Sequence, residues 1–264
     1  MWQEEYQNLL QEFVSAVEDE LLQYVRQLSV FGSYQKEQTS GPGWIIPGTS
    51  DLDLVLVVDL EDINPEKHTR RLAKIGEALS VFFVHPVYAP ILDLTLLEFQ
   101  DLPVSQGMVF SPIHAISCSS QGEVLLGKNV LADTSYSEKM LNRCAKTSIA
   151  QGLESIKSGF LHRTVFGDHQ LTYEFAEIIL DMAHSALAAQ GVFNLVRSEV
   201  PEKFEMIIGN KMDFDGGVDT VYEAKKWRMG SQKMKNADFL VGCLNFSQAL
   251  NKFIRNPFMS SRQK

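Results

Sequence analysis

Two carboxylates stand one residue apart at the start of an apolar segment. Asp51 and Asp53 flank Leu52, and leucine and valine continue to Val58. Because side chains alternate across a strand, we expect both aspartates on one face and the leucines in the core. Two residues of strand advance roughly 6–7 Å, so the two carboxylates can lean together and share a divalent cation. The pair would otherwise repel itself, which favours a metal site over a simple strand edge.

Two further features extend this candidate site. Asp93 is a third carboxylate, expected to be buried in an apolar strand over residues 87–97 and to complete a cluster beside the first strand. Upstream, Gly32-Ser33 ends a short strand, and such a turn offers close backbone approach, an amide and a hydroxyl to phosphate oxygens. Hard oxygen ligands suit Mg²⁺, and two such ions can stabilise a leaving pyrophosphate.

The elements that must position these residues follow an alternating order. The first half predicts a helix over residues 2–27, a strand over 28–31, a loop over 34–49, a strand over 52–58, a helix over 65–82 and a strand over 87–97. Helix and strand in this order are typical of an α/β unit. We therefore predict one domain over residues 1–134.

The second half shows helical spacing and no strand pattern. Ser135 and Glu138 are spaced as a capping box, and apolar residues continue at helical spacing to Ile156. Further helices are predicted over residues 173–190, 201–208, 218–228 and 236–255. Residues 135–264 therefore predict a helical bundle, and the whole chain predicts an α+β fold in which an α/β domain precedes an all-α domain.

Charge is divided unevenly between the halves. The formal net charge is −9, but residues 1–134 hold 19 acidic and 7 basic residues, whereas residues 135–264 hold 14 and 17. The acidic total argues against a general nucleic-acid coat, and the asymmetry favours cations in one half and anions in the other. Three cysteines without CxxC spacing, no basic leader and no unbroken apolar span predict a cytoplasmic protein without a membrane partner.

Taken together, the motifs resemble a known signature over roughly residues 28–97. Gly32-Ser33, then Ser50-Asp51-Leu52-Asp53, then Asp93 on a later strand is similar to the pattern of the DNA polymerase β-like nucleotidyltransferase superfamily. This resemblance implies that Gly32, Ser33 and Ser50 bind the nucleotide triphosphate. It implies that Asp51, Asp53 and Asp93 are catalytic and bind two Mg²⁺ ions. Lys36 falls where many members carry an arginine, which implies a phosphate contact; a solvated loop lysine is the alternative.

The helical half has a looser resemblance. The helix end at residues 183–191 and the long last helix are similar to the helical domain of kanamycin-type nucleotidyltransferases and of the HEPN family. Many HEPN ribonucleases carry Arg-x(4–6)-His near the start of the last helix, and here only Arg163 and His169 have that spacing, between earlier helices. The resemblance thus implies a domain that binds substrate or nucleotide.

The expected activity is transfer of a nucleoside monophosphate, AMP from ATP, to an acceptor hydroxyl with release of pyrophosphate. The partners are then an NTP and an unidentified acceptor, for which an aminoglycoside-like small molecule and a protein hydroxyl both fit. A nucleic-acid partner is disfavoured by the charge, but an RNA acceptor stays open, as does a homodimer. The alternative is a regulatory or toxin–antitoxin-type module acting on protein or RNA, or a non-catalytic nucleotide-binding protein.

Two charged clusters in the second half allow a functional or a structural interpretation. Five cations surround Trp227 and could hold triphosphate or RNA, although a solvated helix face is the simpler interpretation: Lys225, Lys226, Arg228, Lys233 and Lys235. Three acids at helical spacing could bind a cationic acceptor, although an exposed acidic face is simpler: Glu174, Glu177 and Asp181.

Overall fold

The chain folds as two units of different architecture. The computed structural model describes residues 2–32, 51–60, 64–104, 110–193, 195, 197–212, 216–229 and 234–255. The units are Met1–Ser135 and Tyr136–Lys264, and this division lies one residue from the predicted boundary. The chain as a whole is mixed α and β. Among the described residues, no helix is both long enough and apolar enough to cross a membrane.

The first unit is built on a mixed sheet of four strands. In chain order its elements are α1 (Trp2–Leu21), β1 (Val25–Phe31), β2 (Leu52–Val58), α2 (Pro65–Val84), β3 (Leu92–Glu98), α3 (Pro112–Gln121) and β4 (Glu123–Gly127). The strand order is β3-β2-β1-β4. Strand β1 is antiparallel to β2 and β4, whereas β2 is parallel to β3.

One face of this sheet packs against α1 and α2. Every second residue of β2, from Leu52 to Val58, is fully buried in a single apolar cluster with residues of both helices. Helix α1 contributes Leu9, Phe13 and Val17, which recur at the helical period. Because these positions alternate with Asp53, the burial of one face of β2 directs Asp53 to the other.

The other face of the sheet carries a buried polar group on β1. The Gln27 side chain donates to the Ser29 hydroxyl over 2.7 Å and accepts from the backbone N–H of Leu131 over 3.2 Å. Both polar side chains are fully buried, so these bonds satisfy groups that would otherwise be costly to bury. The bond to Leu131 also ties β1 to the segment that follows β4.

Several predicted boundaries in this unit need correction. Helix α1 ends at Leu21 rather than at residue 27, because Val25 already belongs to β1. Strand β3 begins at Leu92 rather than at residue 87. His85 directly follows the last residue of α2. Its Nδ1 accepts from the backbone N–H groups of Val87 and Tyr88, in the turn where the helix ends. Helix α3 and strand β4 were not predicted.

Every described element of the second unit is helical. These helices are α4 (Glu138–Leu161), α5 (Arg163–Ala188), α6 (Val200–Ile207), α7 (Gly217–Arg228) and α8 (Asn236–Arg255), with short 3-10 turns at Arg197–Glu199 and Gly209–Lys211. They enclose one apolar core that includes Phe175, Phe204, Phe246 and Trp227. The predicted range of α8 is confirmed.

Two helix starts in this unit differ from the prediction. The Ser137 hydroxyl, not that of Ser135, caps α4 by accepting from the backbone N–H of Met140 over 3.3 Å. The predicted capping box is therefore wrong, because Glu138 is already the first helical residue. Helix α5 begins at Arg163, earlier than predicted, and continues past a kink at Gly167.

Candidate metal centre

Asp53 and Asp93 lie side by side on neighbouring strands. The two residues are direct partners in the parallel register of β2 and β3. Residues paired in this way project from the same face of a sheet, with their strands about 4.8 Å apart. Asp51 precedes Asp53 by two residues and shares that face. One carboxylate oxygen from each of the three aspartates lies within 4.8 Å of the others. The structure therefore brings all three predicted carboxylates together.

None of the three carboxylates is buried. Asp53 is partly buried and Asp93 is exposed, so the expectation that Asp93 is a buried strand residue is wrong. Among the described strands β3 lies at the edge of the sheet, and Leu92 and Leu94, which flank Asp93, pack against the apolar core on the other face. The edge position explains why Asp93 stays open to solvent. Asp93 is thus accessible to a ligand.

Gly32 lies directly against the side chain of Asp53. It follows Phe31, which pairs with Asp53 across β1 and β2, and its φ of +72° is a left-handed conformation that favours glycine. A Cβ on Gly32 would overlap Asp53 Oδ2 and lie 2.7 Å from Asp53 Cγ. The space that glycine leaves is therefore filled by a carboxylate of the cluster. Close approach to a phosphate, the reason predicted from the sequence, stays a prediction.

Helix α3 brings Cys118 near the same carboxylate. Burial and, to a smaller extent, the charge of Asp53 raise the pKa of the Cys118 thiol to about 12. The thiol is therefore protonated at neutral pH and is not available as a thiolate ligand. The sequence held a signal for α3, since Ser111 followed by Pro112 is a typical helix start, and Ser111 is the N-cap.

The cluster offers hard oxygen ligands from a rigid sheet. Three carboxylates whose oxygens lie within 4.8 Å can converge on one small region of space. Divalent cations that prefer oxygen are held by such donor sets, and Mg²⁺ in particular uses few carboxylates and completes its shell with water or phosphate oxygens. The residues present therefore fit a divalent cation.

The other predicted nucleotide-binding residues are not described by the structure. Ser33, Lys36 and Ser50 lie outside the described residues, so their contacts with a nucleotide stay predictions. Gly32 is the one residue of the predicted nucleotide-binding set whose position the structure describes, and it touches the carboxylate cluster.

Most of the basic cluster around Trp227 is neutralised by carboxylates of the same unit. Lys225 pairs with Glu202 at 3.0 Å, Lys226 pairs with Glu223 and Arg228 pairs with Glu177. Trp227 is buried in the core and does not offer a stacking surface. A solvated helix face is therefore the wrong interpretation for Arg228, which is buried. An exposed acidic face is likewise wrong for Glu177, which forms an ion pair with Arg228. Lys233 lies outside the described residues.

No protein-family model and no curated protein matches the chain. Its function has to be inferred from the geometry of these side chains.

Proposed function

We propose that the protein is a divalent-metal-dependent nucleotidyltransferase, which moves a nucleoside monophosphate from an NTP to an acceptor hydroxyl and releases pyrophosphate. The observation that carries this proposal is the convergence of Asp51, Asp53 and Asp93, with carboxylate oxygens within 4.8 Å of one another. A second observation on the same site supports it: the backbone of Gly32 has a left-handed conformation and lies against the Asp53 carboxylate, where no larger residue would fit. Mg²⁺ with ATP as donor is the version we propose to test first.

Each residue has a distinct task in this proposal. Asp51 and Asp53 hold the cations from adjacent positions on one strand face, and Asp93 completes the set from the next strand. Bound Mg²⁺ supplies charge neutralisation for the triphosphate and for the leaving pyrophosphate. Asp93 is exposed at the sheet edge, where an acceptor hydroxyl can reach it and can be oriented or deprotonated by its carboxylate. Gly32 maintains the orientation of Asp53.

Phosphoryl and nucleotidyl transfer suit such a site because they ask mainly for position and charge. The transition state carries spread negative charge, and little covalent participation by the protein is needed. Carboxylates anchored in register on two strands satisfy the demand for fixed position better than carboxylates on a loop. The competing function is a nucleotide-binding module without turnover, which would need the cations for affinity alone.

The test follows label from the α-phosphate of ATP. Purified protein is incubated with α-labelled ATP, Mg²⁺ and separate protein, RNA and small-molecule fractions, and pyrophosphate release is measured beside label transfer. We expect both in equal amounts with the native protein, and neither after Mg²⁺ is chelated. Asp51→Asn with Asp53→Asn should reduce turnover at least 100-fold. Asp133→Asn is the matched control, since Asp133 is exposed in the same unit and outside the cluster.

Two results would contradict the proposal in different ways. Near-normal turnover in the double variant would remove the carboxylates from the chemistry. Mg²⁺-dependent ATP binding without pyrophosphate release, in every fraction, would assign the protein to the non-catalytic class. We expect the variants to keep the fold, because asparagine has the shape of aspartate, and circular dichroism checks this.

A further inference from the structure

A second concentration of charge lies on the helical unit. Two adjoining cavities, of about 650 and 470 Å³, share Arg143 and Lys146 of α4 in their linings. The larger cavity adds Arg255 from the last turn of α8, and the smaller adds Lys139 from the first turn of α4. We call this surface the basic groove and define it by Lys139, Arg143, Lys146 and Arg255. Its lining residues all belong to the second unit.

Helical spacing explains why these cations gather. Lys139, Arg143 and Lys146 are four and three residues apart, so they follow one face of α4 about one turn from each other. The opposite face of α4 is apolar and is buried at Leu141, Ala145 and Ile149. Burial of that face directs the three cations to solvent.

The cations of the basic groove are not neutralised by ion pairs, unlike those of α7. Within the part of the chain that the structure describes, none of its four cations forms an ion pair. Lys225, Lys226 and Arg228 each do. Glu154 is the single carboxylate among the residues described as lining the two cavities, and it pairs with Lys157 at 2.7 Å. The groove therefore keeps a net positive charge that an anion can neutralise.

We propose that the basic groove binds a small anion that carries two or more phosphate groups. Its cavities are within the range of small-molecule sites, roughly 300–1,000 Å³. Arginine can hold phosphate oxygens in a bidentate manner, and lysine adds point charge. Uncharged donors also line the cavities, among them Asn142, Gln151 and Ser155. A nucleoside triphosphate and an inorganic polyphosphate share this chemistry.

The same observations disfavour a nucleic acid. The described lining residues include no aromatic side chain, so they provide no platform on which bases can stack. The charges of the groove are screened beyond a Debye length of about 8–10 Å, so the parts of a longer strand outside the groove would gain little attraction from them. A small anion experiences mainly the local cations.

The test uses inorganic tripolyphosphate and the full-length, metal-free protein in titration calorimetry. We expect saturable binding at one site, and at least tenfold weaker binding after Arg143→Gln with Lys146→Gln, because two charged hydrogen-bond donors are lost. Lys203→Gln with Lys211→Gln is the matched control: it removes the same charge from the same unit, outside the groove. We expect the control to change the affinity less than about twofold.

Three outcomes would overturn the inference. These are absence of tripolyphosphate binding by the native protein at millimolar concentration, an equal loss of affinity in both double variants, and tighter binding of a single-stranded RNA through Arg143 and Lys146. Thermal unfolding verifies that the variants fold. Arg143→Lys keeps the charge but loses the bidentate contact, so its affinity should lie between that of the native protein and that of Arg143→Gln. Because no metal is present, failure here leaves the nucleotidyltransferase proposal unaffected.

Discussion

Gly32→Ala is the sharpest test of how the carboxylate cluster is built. The substitution adds one carbon at a residue whose φ is +72°, and that carbon would overlap the Asp53 carboxylate. Two costs follow, one from the backbone and one from the contact. The left-handed conformation costs an L-residue roughly 1–2 kcal/mol, so we expect a loss of that order in the free energy of unfolding.

The contact determines the effect on metal binding. The new Cβ would lie 2.7 Å from Asp53 Cγ, whereas ordinary contact begins near 3.4 Å, so Cγ would have to withdraw by roughly 0.7 Å. Oδ2, which the new Cβ would overlap, would have to move further or rotate away. Metal–ligand distances in proteins tolerate only about 0.2 Å. We therefore expect Gly32→Ala to weaken divalent-cation affinity at least tenfold, the range seen when the support of a metal ligand is removed.

Binding of Mn²⁺, followed by electron paramagnetic resonance or calorimetry, measures this effect, and two alanine variants separate its causes. Gly167→Ala introduces a similar strain at φ +75° with nothing within 4 Å of the new Cβ, so it should lower stability without changing Mn²⁺ affinity. Gly76→Ala lies within α2, also in open space, and should raise stability by up to about 1 kcal/mol. If Gly32→Ala bound Mn²⁺ as tightly as the native protein, Gly32 would have no part in orienting Asp53.

Three further predictions concern stability. Asp93→Asn should raise the melting temperature in EDTA, because it relieves a repulsion of about 0.2–1 kcal/mol between the directly opposed carboxylates of Asp53 and Asp93. The same variant should be stabilised less by Mg²⁺. A lower melting temperature in EDTA would contradict this prediction. Arg228→Ala should lower the free energy of unfolding by about 1–3 kcal/mol, measured with denaturant, because it breaks a largely buried ion pair. Lys157→Ala breaks an exposed ion pair and should lower it by less than about 1 kcal/mol. Burial raises the pKa of Cys118 from 9.0 to about 12, so above pH 9 the unfolded chain releases a proton that the folded chain keeps. Stability should then fall as the pH rises, by up to about 1.4 kcal/mol per pH unit for this thiol, and Cys118→Ala should flatten that part of the profile.

Strong local patterns were sufficient to predict several elements. The range of β2, Leu52–Val58, and that of α8, Asn236–Arg255, agree with the prediction because each has a dense apolar pattern of one clear period. The start of β1 was missed because Val25 fits the helical period of α1 and also the strand that follows. Strand β4 has only five residues, too few for its apolar pattern to indicate a strand even though Gly122 and Gly127 bound it, so pairing with β1 is what makes it a strand.

The spacing of Asp51 and Asp53 could indicate a cation site without any structure, because strand alternation is a local property. The place of Asp93 could not be known in the same way, since it depends on which strand lies beside β2 and in what register. The apolar neighbours of Asp93 in the sequence predicted that it is buried, and this was wrong because its strand lies at the edge of the sheet, where Asp93 is exposed.

Other features depended entirely on residues far apart in the chain. The glycine at position 32 was explicable from the sequence as a turn, but its contact with Asp53 exists only because β1 and β2 pair. Charge behaved similarly in the second unit, where neighbouring cations look alike in sequence. Packing between α5 and α7 pairs Arg228 with a glutamate, whereas the cations of α4 face solvent. Composition and period therefore determined the strongly patterned elements and the charge of each half. Tertiary pairing decided which charges meet, because side chains distant in sequence become neighbours only after the chain folds.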